Sequence, residues 1–204
     1  MFVIRNDKVI DSQVYLAATN VDINISKLDQ GSLQVDYSNA GGSTAFDFVA
    51  ADVNVTDNTI TEAAHGLITG QRVAATTNGT LPAPLAATNY YVIKVDVDTI
   101  KLATSQANAL AGSEINISDD GSVGGTHTLT PAALAATITL YTSNDGVTFQ
   151  TYASSIASGS ITAAGGKLWD LTDKLNYAYL RIAMAVTTGA IGVNARLYGK
   201  ALKD

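Results

Sequence analysis

The side chains most able to bind a metal ion are the two histidines, His65 and His127. With a carboxylate such as Asp57 they would offer the nitrogen and oxygen ligands that transition metals accept. No H-x-x-x-H pair or similar close ligand spacing accompanies them, and the chain has no cysteine to supply a thiolate. The simpler interpretation is that His65 completes a tight turn and His127 lies in an edge strand. We therefore predict no metal site and no cofactor.

Carboxylates cluster in three further places. The stretches "SDDGS" (118–122) and "SNDGV" (143–147) resemble parts of calcium loops, but neither supplies the ligands over about twelve residues, ending in Glu, that an EF-hand needs. Both are typical of plain turns. Asp96 and Asp98 alternate with valines, so on a strand they would share one face. Such a pair could do acid–base chemistry on a glycan, but the solvated side of a strand is the simpler interpretation.

No recognisable catalytic set is present. The sequence contains no G-x-S-x-G elbow and no G-x-x-x-x-G-K-[ST] phosphate loop, so we expect no enzymatic activity and assign no catalytic residue. A sugar-binding surface would need exposed aromatic side chains. Adjacent Tyr90 and Tyr91 point to opposite faces of a strand, so at least one belongs to the core. The candidate exposed aromatics are Tyr90, Tyr91, Tyr141, Phe149 and Tyr152, and the four tyrosines are the possible glycan contacts.

Alternating apolar and polar residues predict half-buried strands at both ends of the chain. The apolar members near the start lie at alternate positions within 21–25 and 33–37. Those near the end lie within 136–140, 180–186 and 191–197. The two flanks together supply about eight strands, which is enough for one two-layer sandwich.

The middle of the chain, 51–130, has turns and short strands of its own. The predicted turns are "DNT", "HGLITG", "TNGTLPAP" and "DVDT" (96–99), and the predicted strands are 59–61, 72–76, 90–95, 99–103, 115–118 and 126–129. One short helix is predicted at 105–112, where Ser105 can cap the first turn and Gly112 ends it. We interpret 51–130 as a small β module inserted in a loop of a discontinuous sandwich formed by 1–50 and 131–204.

Charge is sparse and uneven. Charged residues make up 15 % of the 204 residues, with a net charge of −6, which argues against nucleic-acid binding. Eight acidic and three basic residues lie in 51–130, so most of the acidity belongs to the middle module; an acidic surface also simply keeps an exposed domain soluble. No signal-peptide pattern is visible, and no apolar run approaches the roughly 20 residues that span a membrane. We expect synthesis in the cytoplasm and no membrane partner.

The middle module resembles a segment that recurs in virion proteins of tailed bacteriophages. The motifs that carry the resemblance occur in order: "HGL" (65–67), "TGQRV" (69–73), "TNGTLPAPL" (77–85), "YYVI" (90–93), "VDTIKLATS" (97–105), "ANALAG" (107–112) and "GTHTL" (125–129). The flanks, with "TLYTSNDGVTFQTY", "GGKLWDLTD" and "YAYLRIAM", resemble short phage structural proteins in which a jelly-roll-like sandwich carries this insert. They are similar, more loosely, to galactose-binding-like sandwiches.

The resemblance implies an all-β fold, a jelly-roll-like β-sandwich with an inserted small β module containing one short helix. It also implies a non-enzymatic structural component of the virion, made in the host bacterial cytoplasm. Within that class we favour a capsid decoration or minor head protein that binds other virion proteins. The alternatives are a neck or tail structural protein, or a carbohydrate-binding module that attaches the particle to bacterial glycans.

We expect many copies, self-association into a homo-oligomer, and docking through the sandwich while the acidic module projects into solvent. The amino-terminal stretch "MFVIRNDKVIDSQVYL" is either an arm that adds a strand to a neighbouring subunit or the first strand of its own sandwich. Arg and Tyr are enriched at protein interfaces, and the outward side of the last strand carries both. The predicted interface residues are Phe2, Ile4, Asn194, Arg196, Tyr198 and Lys200.

Overall fold

A computed structural model of the chain describes residues 2–121, 124–157, 161, 163–171 and 176–202; within these ranges the side chains of 2–5, 153–157 and 201–202 are not described. The chain forms two compact units, 1–40 with 134–204 and 41–133. The units meet in sequence at 40/41 and 133/134, whereas the sequence analysis places the boundaries at 50/51 and 130/131. The difference arises because residues 46–48 and 131 pair within the second unit.

The regular secondary structure of the described residues is almost all strand, as predicted. In chain order the elements are β1 (Phe2–Tyr15), β2 (Thr19–Asn24), β3 (Leu28–Asn39), β4 (Phe46–Phe48), a 3-10 turn (Ala50–Asp52), β5 (Val53–Asn54), β6 (Thr59–Thr61), β7 (Arg72–Thr77), β8 (Asn89–Lys94), β9 (Thr99–Ala103), α1 (Gln106–Leu110), β10 (His127–Pro131), β11 (Ala135–Ser143), β12 (Gln150–Ala157), β13 (Gly165–Asp170), β14 (Tyr179–Thr188) and β15 (Ile191–Leu202). No helix in this part of the chain is long and apolar enough to cross a membrane.

The first unit is a jelly roll. Its eight strands form two antiparallel sheets, ordered β1-β15-β3-β13 and β12-β11-β14-β2. Successive strands of this unit alternate between the two sheets, except for the β11–β12 hairpin. That strand order, in two four-stranded layers, defines the jelly roll. The predicted fold class is confirmed.

The alternation read from the sequence places the core of this unit correctly. Leu33 and Val35 on β3 and Ile138 and Leu140 on β11 are fully buried, and the two sheets contribute to one hydrophobic cluster. On β15 the inward residues at 191, 193, 195 and 197 are all buried. Each buried side chain of this kind contributes roughly 1.5–3 kcal/mol, so the facing sheets hold the unit together.

The amino-terminal stretch forms the first strand of its own jelly roll. Strand β1 pairs antiparallel with β15, from Phe2 opposite Leu202 to Tyr15 opposite Ile191. A bulge interrupts the pairing near Ser12, whose φ of 47° is in the left-handed region. Of the two alternatives drawn from the sequence, the intramolecular strand is confirmed.

The second unit is a seven-stranded antiparallel sheet, ordered β4-β10-β7-β8-β9-β6-β5. The chain passes from edge strand β4 through the 3-10 turn directly into the opposite edge strand β5, so the sheet forms a nearly closed barrel. The predicted helix is present as α1, with the Ser105 side chain accepting a hydrogen bond from Asn108 N. Gly112 follows it with a φ of +73°, the conformation that ends many helices.

One strand predicted in this unit is absent. Residues 115–118 are irregular, although Ile117 is buried. Ile115 N donates to Leu102 O (2.7 Å) and Ile117 N donates to the side-chain oxygen of Asn58 (2.8 Å). The Asn58 side chain therefore accepts the hydrogen bond that Ile117 N would otherwise donate to a neighbouring strand.

Candidate functional site

The predicted protein-contact residues of β15 lie on one side of a sheet. Asn194, Arg196, Tyr198 and Lys200 alternate with buried residues, so they face away from the jelly-roll core; the first three are half-buried and Lys200 is exposed. We call this outward side of the sheet β1-β15-β3-β13 the β15 face. The structure brings these four predictions together on one surface, while their role as an interface stays a prediction.

The remaining two predicted contacts lie on β1. Phe2 pairs with Leu202 and Ile4 pairs with Lys200. The side chains of Phe2 and Ile4 lie outside the described part of the chain, so only their strand positions are established.

The β15 face combines polar side chains with an open groove. Arg196 lies between Lys8 on β1 and Gln34 on β3, and Asn194 is opposite Asp36. A groove of about 410 Å³ lies at the end of the sheet nearest Gly192 and Asn194. The Oδ1 atom of Asn194 is buried, and it has no hydrogen-bond partner among the described residues.

The other sheet of the jelly roll carries a second group of outward side chains. Strand pairing aligns Thr151 with Tyr141, Tyr141 with Arg181 and Arg181 with Asp22. We call these four residues, which cross all four strands, the Arg181 row. Like-facing residues on adjacent strands are close enough to contact one another, so this register assembles a transverse line from four separate parts of the chain.

One end of the Arg181 row, on β14 and β2, is a fixed ion pair. Arg181 Nε donates to Asp22 Oδ1 (2.6 Å) and Arg181 Nη2 donates to Asp22 Oδ2 (2.8 Å), a bidentate geometry that restricts both side chains. The Phe149 ring stacks on the guanidinium, 3.6 Å from ring centroid to Cζ. The hydrogen bonds from Arg181 lower the pKa of Asp22, so Asp22 is an ionised acceptor at neutral pH.

A shallow depression adjoins the row. Its volume is about 350 Å³. The pairing places Ala183 next to Arg181 along β14 and opposite Asn20 on β2, so a short side chain forms the low point between taller ones. The lining residues are Asn20, Tyr141, Val147, Phe149, Arg181 and Ala183.

Sequence reasoning identified Tyr141 and Phe149 but missed Asp22 and Arg181. Both missed residues occupy outward positions on predicted strands, and this alternation is the sequence pattern from which they could have been identified. They are 159 residues apart, so their pairing depends on sheet register.

The four tyrosines proposed as glycan contacts do not form one group. Tyr90 is only 6 % exposed, and its hydroxyl accepts a hydrogen bond from Ala86 N (2.7 Å), so it is a core residue. Tyr91 is half-buried on β8 in the second unit. Tyr152, in the jelly roll, donates from its hydroxyl to Asp170 O (3.0 Å). Tyr141 alone of the four lines the depression.

His65 completes a turn, as the simpler interpretation predicts. Leu67 N donates to His65 Nδ1 (3.0 Å), so Nε2 carries the proton and donates to Asp96 O (3.2 Å). Within the described ranges, no three His, Cys, Asp or Glu residues are placed to hold a metal ion.

His127 does not lie in an edge strand, which corrects the sequence interpretation. Strand β10 runs between β4 and β7, so the ring is fully buried, with Phe48 at 5.1 Å between ring centroids. Its Nδ1 is 2.7 Å from Thr77 Oγ1, while Nε2 has no hydrogen-bond partner among the described residues. Burial lowers the pKa of His127.

Asp96 and Asp98 lie in the turn between β8 and β9, where the sequence predicts a turn at 96–99. The alternative interpretation, that the pair lies on the solvated side of a strand, is wrong. Asp98 N donates to Asp96 Oδ1 (2.9 Å) and Ala64 N donates to Asp98 Oδ1 (2.7 Å). The backbone hydrogen bond from Asp98 lowers the pKa of Asp96. Both carboxylates therefore hold the turn.

The two loops that resemble calcium sites also use their carboxylates for turns. Asp145 Oδ1 accepts hydrogen bonds from Ser143 Oγ (2.7 Å), Val147 N (2.8 Å) and Thr148 N (2.8 Å), and these bonds lower its pKa to about 2. Asp119 Oδ1 accepts from Ala83 N (2.7 Å) and Gly121 N (3.0 Å). These oxygens are occupied by the chain itself.

Comparison with known proteins gives distant matches to solved structures. No protein-family model and no curated protein matches the chain. Among solved structures, VP17, a capsid protein of bacteriophage P23-77, is 8 % identical over 99 % of this chain and 96 % of its own, with a TM-score of 0.23. A structure of the VP16–VP17 complex of the two major capsid proteins of the same phage is 10 % identical over 98 % of both chains, with a TM-score of 0.25. Similarities of this size carry no argument about function.

Proposed function

We propose that the chain is a non-enzymatic structural component of a tailed-bacteriophage particle. The observation that carries the proposal is the ordered run of motifs between His65 and Leu129, in a module that resembles a recurrent segment of virion proteins. This module lies in the connection between β3 and β11 of a jelly roll. Because a fold alone does not determine function, the proposal depends on the module and the jelly roll occurring together.

The distribution of charge supports different roles for the two units, with docking by the jelly roll and solvent exposure of the second unit. The jelly-roll segments, 1–40 and 134–204, contain nine acidic and nine basic residues, whereas 41–133 contains nine acidic and three basic. The whole net charge of −6 therefore belongs to the second unit. A neutral unit can approach another protein without net repulsion, while an acidic unit favours solvent exposure.

Within this class the chain acts as a capsid decoration protein that docks through the β15 face. Arg196 and Tyr198 are residue types enriched at interfaces, and the long strands β1 and β15 give them a rigid base. Many copies, each burying a modest area, would bind a symmetric shell strongly through multivalency. Neck or tail placement is the alternative within the same class.

The class is tested by the composition of purified particles. Particles from cells that express this chain with its neighbouring phage genes should contain it as a stable component, by mass spectrometry and immunogold labelling. Absence of the chain from particles would contradict the virion role. Labelling confined to one vertex or to the tail would contradict decoration of the head.

The docking surface is tested by matched charge reversals. Arg196→Glu should abolish binding of added protein to shells that lack it, because the change places a carboxylate in the middle of the β15 face. Lys94→Glu makes the same change in charge on an exposed residue of the second unit and should leave binding unchanged. Equal behaviour of the two variants would contradict docking through the β15 face.

A further inference from the structure

The depression beside the Arg181 row is small, and strands form its floor. Its volume of about 350 Å³ is at the lower end of ligand pockets, which hold compact molecules. Strands β2, β11 and β14 form its floor, and the loop between β11 and β12 supplies Val147 and Phe149 at its side. Ala183 leaves space between the strands that carry Tyr141 and Asn20. A single compact ring is therefore the right size of occupant.

The charges at the site cancel. Arg181 and Asp22 form a bidentate pair, and Phe149 covers the guanidinium. A charged ligand would have to compete with this pair, because each ion already has its counter-ion. Asp22 keeps additional lone pairs beyond those that face Arg181, and its side chain is 42 % exposed, so it can accept hydrogen bonds from neutral hydroxyl groups.

Two uncommitted polar groups lie on opposite sides of the depression. Within the described part of the chain, neither the Asn20 amide nor the Tyr141 hydroxyl makes a hydrogen bond. Tyr141 is on β11 and Asn20 is on β2, with β14 between them, so their backbones are on the order of 10 Å apart. A ligand between them needs donors and acceptors around its rim, since an amide and a hydroxyl each offer both.

The third feature is an apolar wall. Tyr141 and Phe149 both line the depression, and Val147 beside them is 81 % exposed. A ligand that uses this wall must bury apolar surface on one side while keeping hydroxyl groups at its edge. A pyranose ring meets both requirements, because its axial C–H groups form an apolar face and its hydroxyl groups form a polar rim.

From this arrangement we propose that the depression binds a neutral saccharide residue. The ring packs against Tyr141 and the edge of Phe149, and its hydroxyl groups bond with Asn20 inside the depression and reach Asp22 beside it. Arg181 is a positioning residue, since it fixes Asp22. The inference rests on the surface of the jelly roll alone, so absence of the chain from phage particles would leave it standing.

The full-length chain is titrated with glucose, galactose, mannose and N-acetylglucosamine while its amide signals are followed by NMR. At least one sugar should shift the signals of residues 20, 141, 181 and 183 in a saturable way. Asn20→Ala should weaken that binding about tenfold, the value of one hydrogen bond, and Tyr141→Ala should abolish it. Tyr91→Ala removes a half-buried tyrosine from the other unit and should bind as the unmodified chain does.

Three results would overturn the proposal: no shift with any of the four sugars, shifts that map outside the depression, or equal affinity in the Asn20→Ala variant. Signals of the depression that change with protein concentration alone would show that a second protein molecule occupies it, which also overturns the proposal. Trp169, a buried residue of the same jelly roll, reports by fluorescence that the jelly roll is folded in each variant.

Discussion

The imidazole of His127 is fully buried between β4 and β7, where a proton on Nε2 would have no partner among the described residues. Its pKa in the folded chain is lowered by burial, because the surroundings disfavour the charged ring. A histidine with a folded pKa below the unfolded value of about 6.5 contributes its full stabilisation above that pH. The contribution is lost as the pH falls, because only the unfolded chain takes up the proton.

We expect the second unit to become less stable between about pH 6.5 and 5, by at most about 1.4 kcal/mol per pH unit. His127→Gln should remove this slope, because glutamine can hydrogen-bond Thr77 but does not titrate. The measurement is hydrogen exchange of the β7 and β10 amides across this range. The lowered pKa values of Asp96 and Glu114, the other shifted groups described in this unit, place their protonation at lower pH. A slope that persists in the variant would contradict the assignment to His127.

At the scale of elements, alternation identified the strands better than it identified their partners. It placed Val35 and Leu140 inside because the period of two is local to each strand. It could not show that Phe46–Phe48 pairs with β10, since that pairing depends on contacts between residues about eighty positions apart. For the same reason the sequence does not reveal the Arg181 row. The alternation shows which residues face outward, but it does not show the register across four strands.

Turns are predicted from residue type, and whether a predicted turn is present depends on the hydrogen bonds that its side chains make. "SNDG" gave a turn because Asn, Asp and Gly suit it, and Asp145 does hold it. At Asp96–Asp98 the sequence predicts a turn from the stretch 96–99, and the period of two in Val-Asp-Val-Asp also suggests a strand. The signal that separates the two is a hydrogen bond from backbone to carboxylate, which composition does not reveal.

The β14–β15 turn offers a test of packing at this scale. Gly189 has a φ of +73°, and a methyl group there would lie 2.7 Å from the Leu134 Cα atom. Gly112 has the same φ with nothing within 4 Å. Gly112→Ala should therefore cost only the backbone strain, about 1 kcal/mol, whereas Gly189→Ala should cost roughly 2–5 kcal/mol.

Hydrogen exchange measures each variant in its own unit, on the β11 amides for Gly189→Ala and on the β9 amides for Gly112→Ala. The Gly112 variant is the control, because it shares the backbone conformation and lacks the contact. Equal losses of stability in the two variants would show that the contact between Gly189 and Leu134 does not determine the packing of this turn.

At the scale of the molecule, the two ends of the jelly roll that flank the second unit arrive at the same turn. Ala40 N donates to Ala190 O (2.9 Å), and the backbone of Leu134 contacts Gly189. Because 189 and 190 are consecutive, Ala40 and Leu134 are within about 10 Å of each other. A module whose ends enter and leave at one place can be removed without stretching the remaining chain.

We therefore predict that replacing 41–133 by about five Gly and Ser residues leaves a folded jelly roll, since its core cluster draws on no residue of the second unit. The shortened chain should unfold cooperatively with Trp169 fluorescence as the probe, and it should carry no net charge. A control that removes 52–129 instead retains β4 and Pro131 without the strands that they pair with, and should expose Phe48 and aggregate more readily. If the 41–133 deletion lacks a cooperative transition while the full chain has one, the jelly roll depends on the second unit for its stability, and the division of the chain into two independent folding units is wrong.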